Sequence, residues 1–162
     1  MSRRGAVIGA LAIALVGAAP TAAQIIVCPA ETRYSFRPRE DGGRIEYCET
    51  PAARVHGPYL ATDGEAARLL EGQFADGKAI GRWNGWYPNG RAAGEAYFEA
   101  GDVKRIVAWN ADGVVVFQID LKSGVAMLDR GKLAATLNRA GEAQEFVRTI
   151  IYIAAISTYQ PR

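Results

Sequence analysis

Few side chains in this 162-residue chain could carry acid–base chemistry. Glu95 and Glu99 are four residues apart, which on a β-strand places both carboxylates on one face, and Asp102 follows closely. Two carboxylates could supply the acid and the base of glycoside hydrolysis. A solvated strand face explains the same residues, and basic side chains nearby in sequence favour that interpretation. His56 is the only histidine, and no serine or cysteine is placed to suggest a catalytic partner for it.

Sequence motifs of the common enzyme classes do not occur. The chain contains no G-x-S-x-G, no H-E-x-x-H, no P-loop and no dinucleotide-binding fingerprint. Its Asp-Gly pairs offer no more than one acid per turn, whereas a calcium loop needs oxygen ligands at alternate positions. The sequence therefore predicts a protein that is not an enzyme and that has no metal and no cofactor.

Cys28 and Cys48 are the only cysteines, and both lie in the N-terminal third of the chain. In an exported protein, a small and even number of cysteines favours a disulfide. A redox pair or a metal site is the alternative, but the spacing is not CxxC and the chain has one histidine to add as a ligand. The pair is therefore predicted to be a structural disulfide.

Five aromatic residues between positions 83 and 109 are the candidate ligand-binding residues. On a strand, Trp83 and Tyr87 share one face and Trp86 takes the other, so some rings are expected to be buried and others exposed. An exposed group would form a stacking platform for a glycan, a peptide or a protein partner, and the alternative is a core beneath a covering helix. The five residues are Trp83, Trp86, Tyr87, Tyr97 and Trp109.

Residues 1–23 have the anatomy of a secretory signal peptide. Arg3 and Arg4 precede an apolar run that is too short to span a bilayer, and small residues at Thr21 and Ala23 precede a cleavage point. An uncleaved membrane anchor is the alternative. The pattern predicts a periplasmic or secreted protein that has no transmembrane segment after cleavage.

Removal of this segment would also change the charge balance. The whole chain has 19 Lys+Arg and 17 Asp+Glu, and loss of Arg3 and Arg4 leaves 17 of each. A formally neutral chain without a dense basic run gives no reason to expect nucleic acid or an anionic lipid surface as a partner.

Turn-forming glycines divide the rest of the chain into short segments of nearly equal length. Asn-Gly and Asp-Gly tolerate the positive φ of tight hairpin turns, so turns every 11–13 residues predict a β-meander. Between two of them, Val115, Phe117, Ile119 and Leu121 alternate with polar residues, as in a half-buried strand. Two intervals make a unit of 23–24 residues. The turn pairs are Asp63-Gly64, Asp76-Gly77, Asn89-Gly90, Ala100-Gly101, Asp112-Gly113 and Ser123-Gly124.

Two segments, GRWNGWYPNGR at 81–91 and GEAYFEAGDVKR at 94–105, resemble the bacterial variant of the MORN-type repeat. The resemblance spans roughly residues 54–116, and YFEAG lacks the Asp or Asn that precedes the turn glycine in this repeat, so that turn could differ. It implies an elongated single-layer antiparallel sheet that acts as an interaction scaffold without catalytic residues. Some bacterial relatives of this kind are described as antitoxin-like.

The pattern changes after about Asp129, where Ala, Leu, Glu and Gln favour helix and Gly141 marks a break. Since a single-layer sheet cannot bury a face alone, we expect the second part of this segment to lie across it as a helix. Residues 125–140 could instead form one more hairpin. The apolar helix face would consist of Phe146, Val147, Ile150, Ile151, Ile153 and Ala154, with Arg148, Tyr152 and Tyr159 on the polar stripe.

These patterns predict a mainly β protein with a C-terminal helix (α+β), in which a single-layer antiparallel β-meander of MORN-like hairpins is covered by that helix. The expected parts are the signal peptide (1–23), a disulfide-containing segment (24–53), the repeat sheet (54–124) and a helical segment (125–162). The predicted function is non-enzymatic protein–protein interaction in the cell envelope, with an unidentified envelope protein as partner. Alternatives are a glycan- or lipid-surface-binding module and a periplasmic immunity or antitoxin-like protein. The open sheet edges also allow a homodimer.

Overall fold

A computed structural model describes residues 26–121, 138 and 140–158. In this part of the chain, every strand of an eight-stranded antiparallel sheet pairs with its neighbours in sequence, and one helix follows the sheet. The predicted mainly β meander with a C-terminal helix is confirmed. The strands are β1 (Arg33–Pro38), β2 (Arg44–Glu49), β3 (Val55–Thr62), β4 (Arg68–Ala75), β5 (Lys78–Trp86), β6 (Ala92–Glu99), β7 (Asp102–Trp109) and β8 (Val115–Asp120), and the helix is α1 (Gln144–Thr158).

Several sequence predictions fall outside the described residues. They are the signal peptide at 1–23, the Ser123-Gly124 turn, the position of Tyr159, and the choice between helix and hairpin for most of residues 125–140. Residues 33–49 of the N-terminal segment are described, and they supply β1 and β2 to the same sheet as the repeat strands.

The turns at one end of the sheet recur every 23 or 24 residues. In each of four turns, the backbone N–H of the first residue donates to the carbonyl oxygen of the fifth over 2.8–3.0 Å. The fourth residue of each of these turns has a φ of 64–80°. The turn geometry therefore recurs at the 23–24-residue interval that the sequence predicts, and it begins one turn before Asp63-Gly64. The first residues of the four turns are Arg39, Asp63, Tyr87 and Asn110.

At the other end of the sheet, two-residue turns connect β4 to β5 and β6 to β7, whereas β2 and β3 are joined by a five-residue turn in which the Thr50 N–H donates to the Arg54 carbonyl oxygen over 2.9 Å. Asp76 and Gly77 have φ values of 48° and 82°, and Ala100 and Gly101 have 49° and 96°. Positive φ at both central residues is the geometry of a primed hairpin turn. The second turn thus has the same shape as the first although alanine replaces the expected Asp or Asn.

α1 packs on one face of the sheet, over β5, β6 and β7. We call this face the helix side and the opposite face the open side. The predicted apolar residues of the helix are all buried, so that prediction is confirmed, while Arg148 and Tyr152 are exposed as expected. The buried residues are Phe146, Val147, Ile150, Ile151, Ile153 and Ala154.

Each end of α1 is fixed to the sheet by a close contact. At its start, Phe146 lies against Gly85 and Gly94, which pair directly across β5 and β6. A Cβ at these glycines would be 2.3 and 2.1 Å from the ring, so the ring occupies the space of the missing side chains. At its end, the buried Ser157 hydroxyl accepts a hydrogen bond from the Ala79 N–H over 3.1 Å.

The last described strand differs in part from its predicted pattern. Phe117 is buried, and Ile119 and Leu121 pack against the core as the alternation predicts. Val115 was expected on the same face but is 51% exposed. It is the first residue of β8 and lies beyond a register shift in the pairing of β7 with β8, which interrupts the alternation.

The N-terminal residues cross the open side of the sheet and are held there by a disulfide. Cys28 and Cys48 are bonded, with their Cα atoms 5.6 Å apart, which confirms the predicted pair. Pro29 lies so close to Gly57 of β3 that a Cβ there would be 2.7 Å from its ring. We call residues 26–32 the N-terminal strap.

Candidate functional site

Trp83, one of the five predicted binding residues, belongs to the core. It lies on the helix side of β5 and has 0% of its surface exposed. Its indole packs against Tyr59, Phe74 and Phe98, with ring centroids 5.2–5.7 Å apart. A ligand at the surface cannot reach this ring, so Trp83 supports the fold rather than an exposed platform.

Three more of the predicted residues, Trp86, Tyr87 and Trp109, are half-buried. The guanidinium of Arg68 lies 5.0 Å from the ring centroid of Trp86. The hydroxyl of Tyr87 donates to the carbonyl oxygen of Trp109 over 2.8 Å and joins the end of β5 to the end of β7. Burial, the main cause, raises the pKa of Tyr87, and Glu142 adds to the effect.

Tyr97 is the one predicted residue with a largely exposed ring, at 47%. It lies on the open side of β6, opposite to the side that holds Trp83. The structure therefore does not bring the five aromatic residues together into one stacking platform.

The candidate acid–base residues are not assembled into a catalytic group. Glu95 and Glu99 are four residues apart on β6, a distance of roughly 13 Å along an extended strand. The carboxylates of glycoside hydrolases are closer, at about 5–9.5 Å. The Nδ1 atom of His56 lies 3.2 Å from both the backbone nitrogen and a carboxylate oxygen of Asp76, so the histidine contacts one residue of the adjacent turn. Within the described ranges, no cluster of three or more His, Cys, Asp or Glu could hold a metal ion.

A cleft of about 630 Å³ lies on the helix side of the sheet, beside α1. Because the helix packs over β5, β6 and β7, it leaves the same face of β1, β2 and β3 open next to it. Tyr47 and Tyr59, which pair directly across β2 and β3, form part of the cleft floor. Tyr152 and Ile156 line the helix wall, and Arg37 lies at the β1 rim. The volume is in the range of small-molecule and peptide side-chain sites.

The rim of this cleft carries an excess of positive charge. The Arg37 Nε donates to the Tyr47 hydroxyl over 3.1 Å, and this hydrogen bond raises the pKa of the guanidinium. Glu49 is paired with Arg33 at 3.2 Å. Within residues 26–121 and 140–158, neither Arg37 nor Arg54 has a carboxylate within salt-bridge distance. Two guanidinium groups are therefore available to an anionic ligand.

The floor of the cleft is aromatic and uncharged at neutral pH. Burial, the largest cause, raises the pKa of the Tyr59 phenol from 10.0 to about 12. Its ring packs on Phe74 and Trp83, with centroids 5.6 and 5.3 Å away. The phenol hence stays neutral and offers an aromatic surface beside a hydrogen-bonding hydroxyl.

Sequence reasoning did not identify this cleft. Tyr47 and Tyr59 lie in segments that match the repeat pattern poorly, and Tyr152 was assigned only to the polar stripe of the helix. The sequence feature that could have indicated the cleft is the pair Tyr152 and Ile156. These residues are one helical turn apart, so an aromatic and an apolar side chain lie on the same flank of α1.

Comparison with known proteins gives no family for the chain. No protein-family model matches it, and no curated protein matches it. Solved structures with similarity include the glycosylation-associated protein complex (Gap123) of Streptococcus agalactiae, at 12% identity and a TM-score of 0.36. Accessory secretory proteins 1, 2 and 3 of Streptococcus pneumoniae match at 14% identity and a TM-score of 0.35.

These alignments cover 61% and 83% of this chain but only 18% and 26% of the matched chains. Similarity at these TM-scores carries no argument about function. The resemblance to MORN-type repeats and the antitoxin-like role therefore stay predictions. None of the helices in the described residues is long and apolar enough to cross a bilayer.

Proposed function

We propose that this chain is an exported, non-enzymatic binding protein of the cell envelope. Its cleft beside α1 takes a segment of a partner protein that carries a large apolar or aromatic side chain next to a carboxylate. The observation that carries the proposal is the exposure of an aromatic and an aliphatic side chain at the cleft wall, 64% for Tyr152 and 42% for Ile156.

The apolar part of the proposed ligand follows from the surfaces that meet in the cleft. Tyr152 and Ile156 face the same opening as Tyr47 and Tyr59, so the wall and the floor form one contiguous aromatic and aliphatic lining. Isolated exposed apolar residues are common on protein surfaces, whereas a contiguous concave group favours an interaction site. A buried aromatic anchor of a partner would fill it.

The acidic part of the ligand follows from charge complementarity. Arg37 and Arg54 lie at the rim, and Glu49, the acid between them in the lining, is already paired with Arg33. A carboxylate of the partner would receive charge-assisted hydrogen bonds from these two guanidinium groups, which have no carboxylate partner among the described residues. Selectivity for acidic over basic segments is the expected result.

Export rests on the signal-peptide pattern of residues 1–23 and on the disulfide between Cys28 and Cys48. Disulfides persist in oxidising compartments and are rare in the cytosol. We therefore assign the protein to the periplasm or the extracellular space. The MORN-like repeat pattern also supports an interaction role, because such sheets serve as scaffolds.

The proposed ligand chemistry can be tested by selecting binders from a library of random short peptides displayed on phage. We expect selected peptides to share an aromatic or large aliphatic residue next to Asp or Glu. Tyr152→Ala and Arg37→Ala should each weaken binding of a selected peptide by about tenfold, as loss of an anchor or of a charge-assisted hydrogen bond does.

Val114→Ala is the matched control, because Val114 is 59% exposed and does not line the cleft. It should bind the selected peptides as the wild-type protein does. Failure to enrich any peptide would contradict the proposal, and so would peptides that bind the Tyr152→Ala variant as tightly as the wild type.

A further inference from the structure

A row of three exposed side chains crosses the open side of the sheet at its centre. Arg82 on β5 is paired directly with Tyr97 on β6, and Tyr97 is paired directly with Arg105 on β7. Side chains that are opposite each other in such pairs have Cβ atoms about 5 Å apart. These three residues line a shallow depression of about 270 Å³ together with Glu95. We call them the Arg–Tyr–Arg row.

Among the described residues, Arg105 is the one arginine of this row with an ion pair, and that pair is long. In the described parts of the chain, Arg82 has neither an ion pair nor a side-chain hydrogen bond. Arg105 has Asp120 as its nearest carboxylate, at 3.8 Å from Nε, which is beyond hydrogen-bond distance. Glu95 is on the same face, yet neither arginine lies within salt-bridge distance of it. Both guanidinium groups can therefore donate to a bound anion.

The ring of Tyr97 is also free. Among the described cations, none lies over its face at cation–π distance, although arginines flank it on both sides. Beneath it, the strand turns its other side chains, Ala96 and Phe98, into the core. The ring is hence held by a rigid strand in the middle of the sheet, with 47% of its surface exposed.

We infer that the Arg–Tyr–Arg row binds an acidic saccharide, with a sugar ring against Tyr97 and carboxylates of the saccharide at the flanking Arg82 and Arg105. An aromatic face packs against the C–H groups of a pyranose ring. Guanidinium groups donate paired hydrogen bonds to a carboxylate. Glu95, at the edge of the same depression, accepts hydrogen bonds from sugar hydroxyls.

This site is independent of the cleft in the proposed function, because the two lie on opposite faces of the sheet. A bare inorganic anion would use the arginines but not the ring, and a neutral sugar would use the ring but not the arginines. Of these three ligand types, an acidic saccharide is the one that uses all three side chains of the row, which is why we assign that class of ligand.

Isothermal titration of the disulfide-bonded protein with trigalacturonate tests the inference. The fully methyl-esterified trisaccharide and sodium phosphate serve as comparison ligands. We expect trigalacturonate to bind and both comparison ligands to bind at least about tenfold more weakly, since each lacks one class of contact. Arg82→Ala and Tyr97→Ala should each weaken trigalacturonate binding by about tenfold.

Arg148→Ala, an exposed arginine on α1, is the matched control and should leave the affinity unchanged. Circular dichroism should show the same spectrum for all variants because the substituted residues are exposed. Absence of heat with trigalacturonate would overturn the inference. Equal affinity for phosphate or for the methyl ester would also overturn it, as would an unchanged affinity in both row variants.

Discussion

The Trp83 indole occupies the space next to Gly72 on the neighbouring strand, a residue that has no side chain. A Cβ on Gly72 of β4 would lie 2.1 Å from the indole, so the two residues are sterically complementary. Tyr59, Phe74 and Phe98 surround the ring, and its Nε1 is buried without a hydrogen-bond partner. The indole thus stabilises the fold through apolar packing, and its polar atom reduces that contribution.

Trp83→Ala should lower the free energy of unfolding by about 3–5 kcal/mol, as truncation of a buried aromatic residue does. Trp83→Phe should cost clearly less, because phenylalanine keeps most of the packing and removes the unpaired N–H. Urea unfolding followed by circular dichroism measures both. Trp86→Ala, at a half-buried ring on the open side, is the control. A cost for Trp86→Ala equal to that of Trp83→Ala would contradict the assignment of Trp83 to the core.

Tyr59 makes stability depend on pH in the alkaline range. Its pKa is about 12 in the folded protein because of burial, against 10.0 for a free phenol. A raised folded-state pKa gives stability that is complete below pH 10 and is lost as the pH rises toward 12. Urea unfolding at pH 9 and at pH 11.5 should show a loss of about 1–3 kcal/mol. In Tyr59→Phe the loss should be smaller, and an equal loss would refute the role of this phenol.

At the scale of elements, α1 docks on the sheet because a large side chain of the helix fits over residues of the sheet that have no side chain. Phe146 enters the space above the Gly85–Gly94 pair, and Ser157 joins the far end of the helix to β5. The position of the helix over β5, β6 and β7 follows from these contacts. That position leaves β1, β2 and β3 uncovered on the helix side, so the contacts that dock the helix also determine where the cleft is.

Gly85→Ala should destabilise the protein by about 1–3 kcal/mol, because the added methyl group would be 2.3 Å from the Phe146 ring. In a Phe146→Ala background the same substitution should cost much less, since the ring is gone. Chemical unfolding of the two single variants and the double variant gives the coupling between the positions. Additive effects would show that Phe146 does not dock on this glycine.

Local features of this fold could be read from sequence, whereas features that depend on docking could not. Asn-Gly and Asp-Gly predicted the turns because positive φ is a property of the residues themselves. One turn adopts positive φ at Ala66 instead of Gly64, which shows the sheet overriding the local preference. The buried face of α1 followed from helical periodicity. The position of the cleft depends on which strands that face packs against, and the sequence of the helix alone does not specify those strands.

At the scale of the whole molecule, the sheet has two faces with different chemistry. The helix side combines a buried core with an aromatic cleft whose rim carries unpaired arginines. The open side carries the N-terminal strap at one end and the Arg–Tyr–Arg row at its centre. One thin sheet can therefore present two separate binding surfaces, each built on rigid strands.

The disulfide ties the strap to β2 across a sequence separation of 20 residues. Reduction should lower the free energy of unfolding by about 3 kcal/mol, the value expected for closing a loop of this length. Urea unfolding with and without dithiothreitol measures the difference. A Cys28→Ser/Cys48→Ser variant should not respond to the reductant. Identical unfolding of the wild-type protein in both conditions would contradict a stabilising role for this bond.

Site-directed photocrosslinking in the living host tests the cleft as a partner-binding site most directly. Benzoylphenylalanine replaces Tyr152 in the cleft wall in one strain and Val114, which is exposed outside the cleft, in another. We predict a discrete intermolecular adduct from position 152 and none from position 114. Mass spectrometry of the adduct should identify a partner segment with an apolar or aromatic residue beside an acid. No adduct at position 152, a crosslink within this chain alone, or equal adducts at both positions would contradict the proposed function.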